Sequence, residues 1–312
     1  MFSISSNNRY DAKYHAQSMN PRTLTWNDVP RVHELLSRRW AVDDPRTQMH
    51  IGDFYWALRT TTDGDPLSDT RVWPRADGSL AAFAWLDLPE LGDAIVDPPA
   101  DTSMLDETLD WLEQQYRARA RSQITVVVVD GDQLRTEALH LRGYKPGSGG
   151  NTRLWQHLDF ELAAPTLPAG FILGHVETAD DMTRRAFVEG SSFNYEGVTA
   201  DSWRLLTQRL PRYRSDLDLI AVAPDGTGAS ACTCWYDAAT SSGEFEAVGT
   251  SKPYQRRGLG RAVITEGLRR LHQLGATTAV VQTQTTNAPA IALYQSCGFE
   301  IVGEDLAWTR QL

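Results

Sequence analysis

The sequence predicts an α/β protein built from two tandem copies of one domain. The chain has 312 residues, which is about two domain lengths at roughly 150 residues each. Short motifs also recur in the same order at nearly the same offset, which indicates an internal duplication. The matching pairs are Thr25–Arg31 with Thr178–Arg184 (offset 153), Ala138–His140 with Ala292–Tyr294 (offset 154) and Trp155 with Trp308 (offset 153).

The second half gives the clearer series of elements, and their mixture of strands and helices predicts a layered α/β architecture. Its order is strand, two helices, three strands, helix, strand, helix, strand. Asp180 or Asp181 is predicted to cap the first helix and Thr199 the second. The predicted strands are Gly170–Glu177, Leu217–Ala223, Ala229–Tyr236, Glu244–Gly249, Thr278–Gln284 and Phe299–Trp308, and the long helix runs from Gly258 to Gly275.

The first half follows a similar order with a poorly defined middle. A linker is predicted at Ala163–Pro168. The chain is therefore expected to divide into a polar arm (1–20), a first domain (21–162) and a second domain (163–312). The predicted elements of the first half are helices Val32–Trp40, Met104–Arg119 and Gln133–Arg142, and strands Leu80–Leu86, Gln123–Val129 and Thr152–Leu158.

Composition disfavours several classes of partner. The formal net charge is −10 and the isoelectric point is about 5.2, which disfavours nucleic acids and anionic membrane surfaces. The longest strongly apolar run, Ile124–Val129, is far shorter than the ~20 residues of a membrane span. No secretion signal is read, and three sparse cysteines without zinc-ligand spacing predict a cytoplasmic protein without a metal.

The most informative segment is Val248–Arg261, which follows a strand and opens a helix. Gly258 and Gly260 allow close approach of a ligand, and the helix N-terminus favours an anion. Arg256, Arg257 and Arg261 add positive charge, so the loop would suit a pyrophosphate. A basic turn without a ligand is the alternative interpretation. A third Rossmann glycine and a Walker lysine are both missing.

The spacing Gln255-x-x-Gly258-x-Gly260 resembles the acetyl-CoA signature of the GNAT superfamily of N-acetyltransferases. Asn287–Phe299, with its asparagine, Ala-Leu-Tyr and Gly-Phe in order, is similar to that family's second motif. The resemblance implies two GNAT-like domains, each a mixed, mainly antiparallel twisted sheet flanked by helices. It also implies acetyl-CoA as co-substrate, bound by Val248, Gly249, Thr250, Gln255, Arg256, Arg257, Gly258, Leu259, Gly260, Arg261 and Asn287.

Acetyl transfer to an amine needs a base and, for the departing thiolate, a proton donor. Glu244 and Glu246 lie two apart on a predicted strand. Glu244 matches the family's frequent catalytic glutamate and Glu246 is nearer the expected thioester, so both are kept, with Glu244 preferred. Tyr294 occupies the position of the family's proton-donating tyrosine. Solvent-facing glutamates and a structurally bonded tyrosine are the alternatives.

The remaining expectations concern substrate and domain roles. Phe193, Tyr195 and Trp203 are candidates for an acceptor pocket, or for core. The first half has no glycine pair or arginine at Ala94–Ser103, which predicts a degenerate domain without acetyl-CoA. We expect an N-acetyltransferase for a small-molecule amine, as a monomer or homodimer. A non-catalytic acyl-CoA sensor or interaction module, or a protein acetyltransferase, is the alternative.

Overall fold

The computed structural model of the chain describes residues 20–44, 46–58, 67–87, 89–98, 102–159, 162–194 and 198–312. The predicted polar arm lies outside these ranges except for its last residue. Within the described residues, no helix has the length and apolar character needed to cross a bilayer.

The first half contains four helices and six strands among its described residues. Its valine-rich strand, Gln123–Val129, has the predicted bounds, because a run of β-branched residues favours a buried strand. The elements are α1 (Val29–Asp43), α2 (Ile51–Ala57), β1 (Thr70–Pro74), β2 (Leu80–Asp87), β3 (Leu91–Val96), α3 (Thr102–Ala118), β4 (Gln123–Val129), α4 (Gln133–Leu141), β5 (Lys145–Pro146) and β6 (Asn151–His157).

The second half follows the predicted order, with small shifts at the ends of elements. In the described part these are β7 (Ile172–His175), α5 (Ala179–Phe193), α6 (Ala200–Arg209), β8 (Asp218–Val222), β9 (Gly228–Asp237), β10 (Ser242–Thr250), α7 (Leu259–Gln273), β11 (Thr278–Gln284), α8 (Ala288–Ser296) and β12 (Glu300–Gln311).

The starts of α5 and α6 show how local sequence sets helix boundaries. Thr199 caps α6 as predicted. The prediction that Asp180 or Asp181 caps α5 is wrong, because Thr178 is the cap. The Thr178 hydroxyl accepts a hydrogen bond from the Asp181 N–H, while the Asp181 carboxylate accepts one from the Thr178 N–H (3.0 Å). This reciprocal pair satisfies two N–H groups at once and outcompetes an aspartate cap.

All strands belong to one mixed sheet with the order β1-β2-β3-β4-β12-β6-β11-β10-β9-β8-β7, with β5 paired to β12. Apart from the parallel pairs β3/β4 and β10/β11, the described pairs are antiparallel. The predicted α/β class with a mainly antiparallel twisted sheet is therefore confirmed.

The two halves exchange their last strands. Strand β6 of the first half pairs with β11 of the second half. Strand β12 pairs with β6 through residues 300–304 and then with β4 through residues 305–311. The halves therefore share one continuous sheet, although the domain boundary near 162–168, a stretch without helix or strand, remains a prediction.

Two layers of helices cover the second half of this sheet. Helix α7 packs on one face, where Gly267 contacts the side chains of Phe245 and Cys234. On the opposite face, α5 reaches the sheet through Arg185, which donates hydrogen bonds to Asp218 and Thr233. Helix α2 of the first half packs beside α5 on that same face, against β9 and β10. A helix of the first half therefore covers the strand that carries the candidate catalytic glutamates.

Candidate active site

The centre of the candidate site is a cleft between β10 and β11. These parallel strands pair only through residues 242–244 and 278–280, although both continue to Thr250 and Gln284. Beyond Glu244 the register of β10 against β9 also shifts, between Phe245 and Val248. Such a bulge bends a strand and frees backbone groups from the ladder. The edge of β10 from Phe245 to Thr250 is thus open toward β11.

The basic loop follows directly on this open edge. Gly258 has a φ of +80° and is the residue before α7, and Arg256 also has a positive φ of +63°. The side chains of Arg256, Arg257 and Arg261 are exposed. The first four N–H groups of a helix have no partner within the helix, so the start of α7 presents donors and a positive dipole end to an anion.

Two glycines of the predicted cofactor segment lie where helices pack closely against it. A Cβ at Gly249 would lie 2.8 Å from the Ser192 hydroxyl at the end of α5. A Cβ at Gly260 would lie 3.1 Å from Leu293 of α8. The end of α5 therefore lies against β10, and α8 lies against the start of α7.

Glu244 lies at the bottom of the cleft, in contact with the first half of the chain. It is 1% exposed. Its Oε2 lies 3.0 Å from His50 Nδ1 and accepts a hydrogen bond from the Asp53 N–H at 2.8 Å. Burial raises the pKa of Glu244 to about 7. A carboxyl group with that pKa can exchange a proton near neutral pH, which is what a general base requires.

Asp53 and His50 extend this buried polar group. Asp53 accepts hydrogen bonds from its own helix start, the His50 N–H at 3.0 Å, and from the Gln282 amide at 3.2 Å. Burial and the neighbouring Glu244 carboxylate raise the pKa of Asp53 well above its usual value. Burial lowers the pKa of His50 to about 4, so its imidazole is neutral near pH 7. A cavity of about 10 Å³ adjoins Glu244, His50 and Arg153, which is enough for about one water.

Glu246 and Tyr294 lie nearer the open edge. Glu246 is partly exposed, and its carbonyl oxygen accepts a hydrogen bond from the Trp235 indole N–H at 2.9 Å. Tyr294 is 6% exposed and belongs to the core beneath α7 and α8. Burial, followed by the Glu246 charge, raises the pKa of Tyr294. Its hydroxyl therefore keeps its proton, as a donor to a thiolate must. The roles of these residues and of Glu244 remain predictions.

Sequence reasoning missed the contribution of α2. No helix was predicted over Ile51–Ala57, and His50, Gly52 and Asp53 were not among the candidates. A usable signal is present, since His50 and Asp53 have the spacing of a capping box: the His50 ring accepts from the Gly52 N–H and the Asp53 carboxylate accepts from the His50 N–H. Seven residues are too few for a clear helical periodicity.

Asn287 has a structural role in addition to any contact with a cofactor. It caps α8, where its side-chain oxygen accepts a hydrogen bond from the Ala290 N–H at 3.3 Å. We expect Asn287→Ala to lower the free energy of unfolding by about 1 kcal/mol, as the loss of a helix cap generally does. Thermal unfolding of this variant and of Asn287→Asp, which retains a cap acceptor, checks the expectation. Equal midpoints for the two variants would contradict it.

The three candidates for the acceptor pocket differ in position. Phe193 is 36% exposed and its ring approaches Gly249. Trp203 is 1% exposed, donates its indole N–H to Asp218 at 3.2 Å and lies 4.2 Å beneath the Arg185 guanidinium. Trp203 therefore lies in the core, and the geometry does not support a contact between Trp203 and the amine substrate. Tyr195 lies outside the described residues.

The corresponding cleft of the first half is filled by a side chain. Strands β3 and β4 pair at Leu91 and Thr125 and then separate, as β10 and β11 do. Arg135 of α4 donates hydrogen bonds to the Asp93 carboxylate and to the Ala94 carbonyl of β3. Arg38 and Arg75 both hold Asp97 at the end of β3. Asp101, the second acidic residue of the segment Ala94–Ser103, lies outside the described residues.

The cysteines are not arranged for metal binding in the described ranges. Cys232 and Cys234 are buried and Cys297 is half-buried. Among the residues that the structure describes, no group of three or more histidine, cysteine, aspartate or glutamate side chains could hold a metal ion.

Comparison with known proteins agrees with this geometry. The model of the acetyltransferase (GNAT) family matches residues 191–299, which contain the cleft, the loop and both glutamates. A mycothiol acetyltransferase from Corynebacterium aurimucosum is 35% identical over 68 residues, 22% of each chain. One from Saccharomonospora viridis is 40% identical over 68 residues, again 22% of each chain. These alignments span about a fifth of the length of the relatives.

Longer comparisons extend over both halves. A mycothiol acetyltransferase from Actinosynnema mirum is 28% identical over 300 residues, covering 88% of this chain and 95% of that relative. A GCN5-related N-acetyltransferase from Sphaerobacter thermophilus has a similar fold, with a TM-score of 0.63 and 19% identity over 94% of this chain and 95% of that one. A tandem GNAT protein from the clavulanic acid biosynthesis pathway has a TM-score of 0.67 and 15% identity over 94% and 98%.

The fold and the family match together define the class of protein: residues 191–299 match the acetyltransferase (GNAT) family, and the chain as a whole is a GNAT superfamily protein. Within that family it has a tandem layout, with two GNAT-like halves in one chain, like that of mycothiol acetyltransferase.

Proposed function

We propose that this chain is an N-acetyltransferase whose active site lies in the second half, residues 163–312, and whose acceptor is a primary amine of a small molecule. The observation that carries the proposal is the open edge of β10 next to the basic loop before α7. The pantetheine arm of acetyl-CoA can pair with such an edge as an added strand. Its pyrophosphate then meets the N–H groups at the start of α7.

The reaction follows from the groups around the bulge. The amine attacks the acetyl carbonyl carbon, and a backbone N–H near Val248 stabilises the oxyanion of the tetrahedral intermediate. Glu244 or Glu246 takes the proton that the ammonium group must lose before it can attack. Collapse of the intermediate breaks the C–S bond, and the Tyr294 hydroxyl protonates the departing thiolate. The second proton that the acetylated nitrogen must lose returns Tyr294 to its neutral form. Because Glu244 is buried, we place one water between it and the amine.

The first half takes no cofactor in this proposal. The Arg135 guanidinium donates a hydrogen bond to the Ala94 carbonyl of β3. This part of β3 corresponds to the edge of β10 on which we place pantetheine in the second half. The first half instead contributes α2, which covers Glu244 and donates a hydrogen bond to its carboxylate.

The nature of the acceptor rests on charge and on the relatives. A chain with a net charge of −10 attracts cationic amines. The relatives are named for the acetylation of a small molecule, mycothiol. We therefore place the desacetyl precursor of mycothiol in the acceptor panel, beside aminoglycosides, polyamines, amino acids and peptide N-termini.

The test is release of CoA thiol from acetyl-CoA by the purified chain with each amine of this panel. Turnover with at least one small amine, and a product heavier by one acetyl group, is the expected result. Binding of acetyl-CoA without turnover of any amine would instead favour a non-catalytic acyl-CoA sensor. Acetylated protein lysines with no small-molecule product would favour a protein acetyltransferase.

A further inference from the structure

A continuous chain of hydrogen bonds leads from Glu244 away from the cleft. Glu244 Oε2 lies 3.0 Å from His50 Nδ1, and His50 Nε2 lies 2.8 Å from the Ser242 hydroxyl. The Ser242 hydroxyl lies 2.6 Å from that of Thr240. The Thr240 hydroxyl lies 2.9 Å from Asp237 Oδ2. Four consecutive links thus join the candidate base to a second carboxylate at the far end of β9.

Asp237, at the far end of this series of hydrogen bonds, determines which group donates and which accepts in each of them. Hydrogen bonds from His33, Ser37, Thr240 and the Ala239 N–H hold the pKa of Asp237 well below its usual value, so its carboxylate is ionised and only accepts. Thr240 must then donate to Asp237, which leaves its oxygen to accept from Ser242.

The same order continues to Glu244. The Ser242 hydroxyl donates to Thr240, so its oxygen accepts from His50 Nε2–H. The neutral His50 ring then has its lone pair at Nδ1, which already accepts from the Gly52 N–H at 3.1 Å. This lone pair faces Glu244 and can take a proton from it. Every donor points away from the cleft, as a proton leaving Glu244 requires.

Asp237 connects this series of hydrogen bonds to solvent. Ser37 donates to the same Oδ2 atom at 2.9 Å, and His33 Nε2 lies 3.0 Å from Oδ1. Ser37 is partly exposed. Both side chains line a solvent-open cavity of about 570 Å³ between α1 and the segment after α6, together with Arg38, Tyr55, Arg212 and Ala239.

We propose that Glu244, His50, Ser242, Thr240 and Asp237 form a proton relay that empties the base into this cavity after each acetyl transfer. The proposal rests on the proposed function and describes how the same site regenerates its base. The Glu244 O–H bond breaks as an N–H bond forms at His50 Nδ1, which gives up its hydrogen bond from the Gly52 N–H, and His50 Nε2 gives its proton to Ser242. Ser242 passes its own proton to Thr240, and Thr240 passes its proton to Asp237. Asp237 releases one proton through Ser37 to water in the cavity.

The relay also gives the first half a chemical task. His50 and Ser37 belong to that half, whereas Glu244, Ser242, Thr240 and Asp237 belong to the second half. The path therefore exists only where the two halves meet. The hydroxyls and the imidazole return to their starting orientation by rotation and proton exchange, so no group is consumed.

The test compares Thr240→Val with Thr240→Ser in the full chain. Valine keeps the shape of threonine and removes the hydroxyl link, whereas serine keeps the link. In steady-state turnover with saturating acetyl-CoA and the best amine of the panel, we expect Thr240→Val to lower kcat about tenfold or more, because the base is emptied more slowly after each transfer. Thr240→Ser should stay within about twofold of the wild type, and acetyl-CoA affinity should be unchanged in both.

The pH profile separates a broken relay from a displaced base. Glu244 keeps its neighbours His50, Asp53 and Arg153 in Thr240→Val, so the midpoint of the pH–rate profile should stay where the wild type has it. Equal rates for the valine and serine variants would overturn the relay, and so would a shifted midpoint. If Thr240→Val does not fold, Ser242→Ala breaks the next link and must show the same loss. A wild type that acetylates no amine overturns the proposed function itself, a result distinct from these.

Discussion

Replacement of Glu244 by glutamine is expected to lower kcat about 100-fold or more, within the range that general-base catalysis contributes. Glutamine keeps the size of the side chain and cannot accept the proton of the ammonium group. The carboxylate must be ionised to act, and its pKa is about 7. In the wild type, kcat should therefore rise as the pH increases through about 7 and level off above it. The variant should lose this dependence.

Steady-state kinetics over pH 5.5–9 for the wild type, Glu244→Gln and Glu246→Gln check this expectation. Glu246→Gln is the matched control, since it removes the same charge two positions away and at a partly exposed site. Acetyl-CoA binding should survive in both variants. A larger loss for Glu246→Gln, with the pH dependence gone in that variant alone, would make Glu246 the base.

Gly52→Ala is expected to reduce activity about 100-fold although it lies in the half without a cofactor site. A Cβ at Gly52 would lie under 3.0 Å from the Glu244 carboxylate and from the Trp235 ring. Both neighbours are buried and tightly packed, so the helix or the glutamate must shift. Overpacking of this kind costs about 1–3 kcal/mol of stability. Displacing Glu244 also removes the proton transfer that it performs.

Gly174→Ala is the control for Gly52→Ala, because nothing lies within 4 Å of a Cβ at Gly174. We expect it to have wild-type kcat and a thermal midpoint close to that of the wild type. Kinetics and thermal unfolding of both variants provide the comparison. Wild-type turnover by Gly52→Ala would show that the contact between α2 and Glu244 is irrelevant to the reaction.

The sequence was most informative where a local rule sets the structure. Thr199 at a helix cap, the valine run of β4 and Gly258 before α7 each follow from a short-range preference, and each was predicted close to its observed place. Helix α2 and strands β1 and β3 were missed, because they are short and their stability comes from contacts with distant parts of the chain.

Only part of the candidate site could be predicted from the sequence, and the reason is similar. Glu244 and the basic loop lie in contiguous motifs, whereas His50 comes within hydrogen-bond distance of Glu244 only because α2 packs across β9 and β10. A contact between residues so far apart in the sequence produces no periodic pattern that could predict it. The exchange of β6 and β12 between halves is equally invisible in local patterns, since both read as ordinary strands.

The central claim is that one half binds acetyl-CoA and the other does not. Calorimetric titration of the purified chain with acetyl-CoA tests it most directly, with the Arg256→Gln/Arg257→Gln double variant as a control for the loop. We expect one site per chain in the wild type and markedly weaker binding in the double variant. Two sites per chain would contradict the filled cleft at Arg135, and no binding in the wild type would contradict the proposed acetyltransferase.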